Sequence, residues 1–297
     1  MRAVRARLGV VGTVALLFLL LMAVVAVGAS WLAPHDPNAG NILAPYAPAS
    51  AAHWLGTDIN GRDIASRLIV GARTSLLGPA GVILLSLIVG TPLALAAAWC
   101  GGIVDTVISR VMDVIFALPG LLLAVLAVAV FGPGLVPAML AIAVSYLPYV
   151  ARIVRSAALQ HRVQPYVSAL EVQGASGFAI CVRHILPNIS GLVLAQSTLA
   201  FGYALSDLAA LSFLGLAVQA PQADWGVLVN NPSGIENGHA IQVVAASILI
   251  ITTIASLTLI GDRLAGDDSL VHRRLRRNRA TAVPATAVST IPAEVAP

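Results

Sequence analysis

The sequence predicts an all-α fold, a polytopic membrane helix bundle, and three observations carry that expectation. Of its 297 residues 58% are hydrophobic and only 10% are charged, where a soluble domain carries about a quarter charged residues. Uncharged apolar runs long enough to cross a bilayer recur along the chain. All 17 basic residues are arginine, and they gather at the ends of those runs. This composition excludes an ordinary soluble enzyme, a disordered chain and a disulfide framework. The net charge of +4 does not read as a nucleic-acid surface, because arginines at span ends carry topology information. Cys100 and Cys181 are far apart, match no metal-ligand spacing, and read as small apolar residues.

The first run, Gly9 to Ala33, follows Arg2, Arg5 and Arg7. A signal peptide starts similarly, but its apolar core is only about 7–15 residues. Residues 1–33 are therefore read as an uncleaved first span with a basic start. Residues 34–73 are rich in Pro, Asn and Ala and become helix-like towards their end. Five further spans lie within a transmembrane core at 74–265. Ser75 to Ala98 has no charge, Val114 to Phe131 follows Asp113, and Leu135 to Ala151 follows a Gly-Pro-Gly turn. Ile189 to about Leu216 is interrupted only by Asp207, and Ala240 to Gly261 is again uncharged. Pro79, Pro92, Pro119 and Pro148 fall in these spans, where neighbouring helices satisfy the freed carbonyls. The expected count is six. Residues 266–297 read as a basic tail whose end, after Ala280, lacks periodicity and is expected to be disordered.

Orientation follows from the arginines. With the N-terminus inside, only Arg62, Arg67 and Arg73 face out. Arg2, Arg5, Arg7, Arg110, Arg152, Arg155, Arg162, Arg183, Arg263 and the tail arginines face in. The positive-inside rule then places both termini in the cytoplasm and residues 34–73 outside.

Catalytic signatures are missing. There is no GxxxxGK[ST] phosphate loop, no HExxH pair and no GxSxG elbow. The six histidines include no two spaced three or four apart, so no helical metal pair is expected. No catalytic residue, metal or cofactor is assigned. Asp113 is expected to pair with Arg110 on the same helical face. Asp207 lies deeper, where a lone carboxylate needs a water-filled path or a partner. A pathway role and a helix-packing role stand equal for it. The inner loop, about 152–188, holds a segment from Tyr166 to Gly174 that reads as a short helix stopped by glycine. Pro187 suits the start of the next helix. Physics alone does not reject an ordinary cytoplasmic linker here.

This loop resembles the signature loop of ABC-importer membrane subunits, an EAA element followed by Gly and then Leu-Pro. It is most similar to the C-type subunit of the dipeptide and oligopeptide permease family. Ala169, Gly174, Ala175, Ser176 and the run Arg183-His-Ile-Leu186-Pro187-Asn188 fit that pattern. An outer motif also resembles the family, with His53-Trp54-Leu-Gly56-Thr-Asp58, Gly61-Arg62-Asp63, Ser66-Arg67-Leu68 and Gly71-Ala-Arg73. Leu211 to Leu216 with Trp225-Gly226, and Asp113 with Pro119-Gly-Leu-Leu-Leu, extend the match in the expected order. There are departures. Ser168 stands where the family has glutamate, Leu170 where it has alanine, and Leu208 where an acidic residue is common, with Asp207 one position earlier.

The resemblance implies a type I ABC importer fold and a permease subunit that does no chemistry itself. It implies a second, B-type permease, one or two ABC ATPase subunits and an extracytoplasmic substrate-binding protein as partners, in the cell membrane and without nucleic acid. The loop residues Ser168, Ala169, Leu170, Glu171, Gly174, Ala175, Leu186 and Pro187 would couple to the ATPase. Ser168, in place of glutamate, offers no carboxylate for a salt bridge to the ATPase there, while the helix–Gly–helix shape for docking is kept. Trp54, Gly56, Asp58, Gly61, Arg62, Asp63 and Arg67 would sit at the pathway mouth. Peptides are the implied cargo, although similar subunits serve nickel, haem, glycosides and opines. Two other classes compete: a membrane-embedded transferase, which needs polar residues clustered at one depth, and a scaffold, which predicts no polar seam.

Overall fold

Helix α1 (Arg2–Leu32) presents two unlike faces. Ala15, Ala26 and Ala29 are buried, whereas Val10, Val14, Leu17, Leu21 and Val24 face outwards. Lipid is as apolar as a leucine side chain, so helices in a bilayer associate through small residues that allow close approach, and bulky ones face the acyl chains. This computed structural model describes the backbone of residues 2–281 and the side chains of residues 9–265. The residues after 281, expected to be disordered, lie outside the described residues.

After α1 the chain forms an irregular cap, tied by single bridges between Gly40 and Arg62 and between Thr57 and Asp63. Asp63 ends the cap and starts α2 (Ile64–Cys100). Its carboxylate accepts the Ser66 amide at 2.7 Å and the Ser66 hydroxyl at 2.6 Å, an N-cap that satisfies a first-turn donor. Helix α2 has 37 residues, about 55 Å at 1.5 Å per residue. It therefore runs past the bilayer core at its start and takes the last ten residues of the expected outer segment into the helix. Then follow α3 (Gly102–Phe116), α4 (Gly120–Phe131), α5 (Leu135–Arg162), α6 (Pro165–Val172), α7 (Gly177–Ile180) and α8 (Leu186–Phe213). A single π-helical turn, Cys181–Ile185, joins α7 to α8. The short α9 (Trp225–Val229) and α10 (Pro232–Glu236) precede α11 (Ile241–Thr281). Among the described residues there is no β-strand.

Five stretches are long and apolar enough to span: Gly9–Leu32, Ile64–Cys100, Leu135–Arg162, Gly177–Phe213 and Ile241–Ala265. The sixth expected span, Val114 to Phe131, falls on a bent pair: it straddles the break between α3 and α4, which meet at 80° and together are long and apolar enough to count as a sixth span. Pro119 lies at the break, where it cannot donate to a continuing helix. Asp113 consequently pairs with Arg152 on α5 at 2.9 Å, not with Arg110 as the helical spacing suggested, because the bend lays α3 against α5. Arg152 also covers the Phe116 ring at 4.3 Å, and Asp105 on α3 takes a bidentate fork from Arg155. Within the inner loop the structure also shortens the irregular part. Helix α5 runs to Arg162 and the fourth long stretch begins at Gly177, leaving only α6 and its flanks between them.

Helix α2 packs most extensively on α5, and α8 on α11. Alanines fill the contacts: Ala124, Ala138, Ala141, Ala143, Ala200 and Ala204 are all buried in one cluster. The loop after α8 is pinned onto α2 by Trp225, which is fully buried and donates from Nε1 to the Leu68 carbonyl at 3.0 Å. Ser75 receives the Trp225 amide at 2.9 Å and donates to Asp224 at 2.7 Å. Gly226 makes this docking possible. A Cβ there would stand 2.3 Å from the Ala209 carbonyl oxygen and 2.9 Å from the Ala209 Cα, backbone atoms that cannot yield. Gly226→Ala is therefore expected to destabilise by at least the 1–3 kcal/mol typical of overpacking. Gly202→Ala, whose Cβ would meet nothing closer than 3.7 Å, is the neutral control. Thermal unfolding of the detergent-solubilised protein checks both.

Candidate functional site: a cap, a cavity and a loop along one axis

The residues singled out in the sequence fall at three levels of the bundle. At the α2 N-terminus sits the cap. Asp58 is 2% exposed as a side chain and accepts Arg62 Nε at 2.7 Å, with Arg67 Nε at 3.8 Å. Its Oδ1 also accepts the Asn60 and Arg62 amides, at 2.8 and 3.0 Å. Gly61 and Gly56 take positive φ, 68° and 77°, inside this turn. A Cβ on either would strike a backbone oxygen, of Asn41 or of Ala47. Arg67 is buried, and Nη1 reaches the carbonyls of Pro37 at 2.9 Å and Pro221 at 3.1 Å. One guanidinium thus ties both loops of this end to α2. Trp54, by contrast, stays 60% exposed. The motif residues are chiefly a structural clasp with an exposed tryptophan on it.

Asp63 belongs to the same clasp. Burial pushes its carboxyl up, but the Ser66 hydroxyl, the Ser66 amide and His53 outweigh that and hold it below the ordinary value of 3.8. A lowered carboxylate stabilises the fold above its unfolded value and loses that contribution as pH falls through the folded one. The cap is therefore intact at neutral pH and loosens only in acid below about pH 4. His53 Nδ1 lies 3.0 Å from Asp63 Oδ1, and His35 Nδ1 lies 3.9 Å from Oδ2. Sequence spacing hides this convergence, because three separate segments supply the side chains.

Midway along the bundle a cavity of about 550 Å³ opens beside the α3–α4 bend. Phe116, Leu118, Pro119, Gly120 and Leu121 form the bend side; Ser145, Tyr146 and Tyr149 come from α5, and Tyr203 and Asp207 from α8. The Tyr146 hydroxyl donates to Asp207 Oδ2 at 3.1 Å, and the Tyr149 hydroxyl to Gln196 Oε1 at 2.8 Å. Asp207 thus packs α8 to α5 through Tyr146 and at the same time lines the cavity. The tyrosines went unnoticed in the sequence. Their signal was the spacing, 146 with 149 and 203 with 207, which puts each pair on one helical face.

The inner loop stands at the far end of α2. Arg162 donates to the Ala98 carbonyl at 2.7 Å and lies over Trp99 at 5.3 Å, and Gly177 packs beneath the same ring. Pro165 opens α6. Gly174, at φ 81°, closes it. The Ala175 amide reaches the Leu170 carbonyl at 3.0 Å and the Gly174 amide the Glu171 carbonyl at 3.0 Å, the bond pair of a Schellman stop. Val167 is buried, and Leu170, Ala175 and Leu186 pack against the same cluster. Ser168, Ala169, Glu171, Gly174 and Pro187 face outwards. So α6 has an anchored face and a free one. The free cysteines, Cys100 and Cys181, line a separate apolar pocket beside Trp99.

Comparison with known proteins identifies the family. Residues 90–276 match the family described as binding-protein-dependent transport system inner membrane component. The chain belongs to this permease family. Residues 2–50 match a second family, the N-terminal transmembrane domain of oligopeptide transport permease C. A probable D,D-dipeptide transport permease, DdpC of Escherichia coli K12, is 36% identical over 72% of each chain. A putative peptide transport permease of Brucella suis is 38% identical over 84% of each. The dipeptide permease DppC of Alkalihalophilus pseudofirmus is 36% identical over 87% of this chain and 84% of its own. In fold the permease is similar to a chain of the inward-facing MetNI methionine ABC transporter, with TM-score 0.55 at 18% identity over 68% of this chain and 95% of that one. The permease is thus a multi-pass inner-membrane transport subunit of the ABC importer class and not an enzyme.

Proposed function

We propose that this permease is the C-type subunit of a peptide importer, with both termini in the cytoplasm. It pairs with a B-type permease, receives cargo from an extracytoplasmic binding protein and docks ABC ATPase subunits on α6. The Asp207 cavity lines the translocation path. The observation that carries this reading is the two-faced α6, anchored by Val167 and Leu170 and free along Ser168, Ala169 and Glu171, at the opposite end of α2 from the cap. The names of these three relatives, a D,D-dipeptide, a peptide and a dipeptide permease, support the cargo class.

Mechanically, α6 is a short lever. Val167 and Leu170 press on a cluster that includes Ala94 and Leu95 of α2, Val150 and Val154 of α5 and Ile189 of α8. Displacement of α6 when the ATPase pair closes on ATP is passed to three spans at once. Only a contact that differs in energy between the open and closed ATPase can shift the equilibrium between inward- and outward-open states. Rigid-body rocking of the bundle then gives alternating access. Isolation of the native complex in mild detergent tests the assignment. Recovery of a second permease and a Walker-type ATPase, with ATP-dependent uptake of a labelled dipeptide after reconstitution, is the expected result. Recovery of the chain alone would overturn it.

A further inference from the structure

We propose that His35, His53 and Asp63 form a binding site for one divalent transition-metal ion of borderline softness, with zinc as the reference ion. The proposal concerns the cap and stands whatever the cargo is. The three side chains come from three points in the chain, yet each offers a ligand atom within 4.8 Å of the others. His53 Nδ1 is 3.0 Å from Asp63 Oδ1 and His35 Nδ1 is 3.9 Å from Asp63 Oδ2. Tetrahedral zinc with bonds of about 2.0–2.1 Å sets its ligand atoms roughly 3.3–3.4 Å apart. The present separations, 3.0 and 3.9 Å to Asp63 and none above 4.8 Å, lie within about 1.5 Å of that spacing.

The backbone is already held. The His35 amide donates to the Ser66 hydroxyl at 3.0 Å. The His53 amide donates to Ser50 Oγ at 3.1 Å, and the His53 carbonyl accepts the Ser50 and Gly56 amides at 2.8 and 3.0 Å. Ser66 orients Asp63 through both its hydroxyl and its amide, the kind of outer support that fixes a metal-ligating carboxylate. An ionised carboxylate offers about four lone-pair sites, so Asp63 can cap α2 with Oδ2 and still present Oδ1 to a metal. Among the described residues no guanidinium takes that place. Arg62 and Arg67 are both directed at Asp58.

Two nitrogens and one carboxylate oxygen suit zinc, nickel or copper, whereas calcium and magnesium take oxygen ligands. The imidazoles are 44% and 32% exposed while Asp63 is 2% exposed. The site is therefore closed on the carboxylate side and open on the histidine side, which leaves a fourth position for water or an incoming donor. A His53 that ligates through Nδ1 is neutral and carries its ring proton on Nε2.

The test uses the full complex purified without a polyhistidine tag. Zinc titration by calorimetry, and Co²⁺ substitution read by visible d–d absorption, give affinity and coordination. One equivalent per chain is expected, with His35→Ala and His53→Ala each weakening zinc by more than the roughly 10–100-fold that loss of a supporting partner costs. His35→Gln repeats the loss with a similar side-chain volume. His239→Ala, at the same end but stacked on Tyr46 at 4.4 Å, leaves binding unchanged. Absence of saturable zinc binding, or a stoichiometric site that survives both His35→Ala and His53→Ala, would overturn the proposal.

Discussion

Gly174→Glu is expected to leave the complex assembled while uptake falls at least tenfold and ATP hydrolysis continues. Gly174 sits at φ 81° with nothing within 4 Å of its missing Cβ, so a side chain there meets no clash in this chain. The cost is conformational. A non-glycine residue in the left-handed region loses about 1–2 kcal/mol, which favours unwinding of the stop that aims α6. Even 1.4 kcal/mol changes an equilibrium tenfold. The new carboxylate would also stand on the exposed face beside Glu171, like charge on like charge. Because the anchoring residues Val167 and Leu170 lie on the opposite face, assembly of the bundle is spared. Parallel measurement of uptake and ATPase rates in proteoliposomes separates the outcomes. Normal uptake in the variant would remove α6 from the coupling path.

The part of this architecture that depends on composition was legible. Five of the six expected spans appear as continuous helices, since each needs only length and apolarity. The helix, glycine stop and second helix of the inner loop were also legible, because a lone Gly174 after a helical segment has few other uses. Three features were not. The bend at Pro119 was invisible because proline is tolerated in membrane helices, and only packing decides whether it kinks or breaks one. The Asp113 partner followed from that bend, so local spacing pointed to Arg110 while tertiary geometry supplied Arg152. The convergence of His35, His53 and Asp63 depends on how the cap folds back over α2, which no periodicity encodes. The outer motif is legible as a motif, but what its charges touch is not. Asp58, Arg62 and Arg67 spend their charges on one another and on loop carbonyls, which builds the end of the bundle more than it exposes charge to a ligand.

Asp207→Asn is expected to lower uptake several-fold more than it lowers recovery of the assembled complex. The amide keeps the volume and can still accept the Tyr146 hydroxyl, so the α5–α8 contact at 3.1 Å survives. What it removes is the only formal charge among the cavity's lining residues. If the cavity is path, that negative charge acts on the ammonium end of a passing peptide, with Tyr146, Tyr149 and Tyr203 offering ring faces to the same group. A companion variant, Tyr146→Phe, removes the packing hydrogen bond and keeps the charge. Loss of a net 0.5–1.5 kcal/mol from that bond should show in thermal stability, with uptake largely retained. Should the two variants behave in reverse, with Asp207→Asn failing to assemble and Tyr146→Phe blocking uptake, the carboxylate is a packing element and the path runs elsewhere. The pair therefore assigns a role that neither substitution could assign alone.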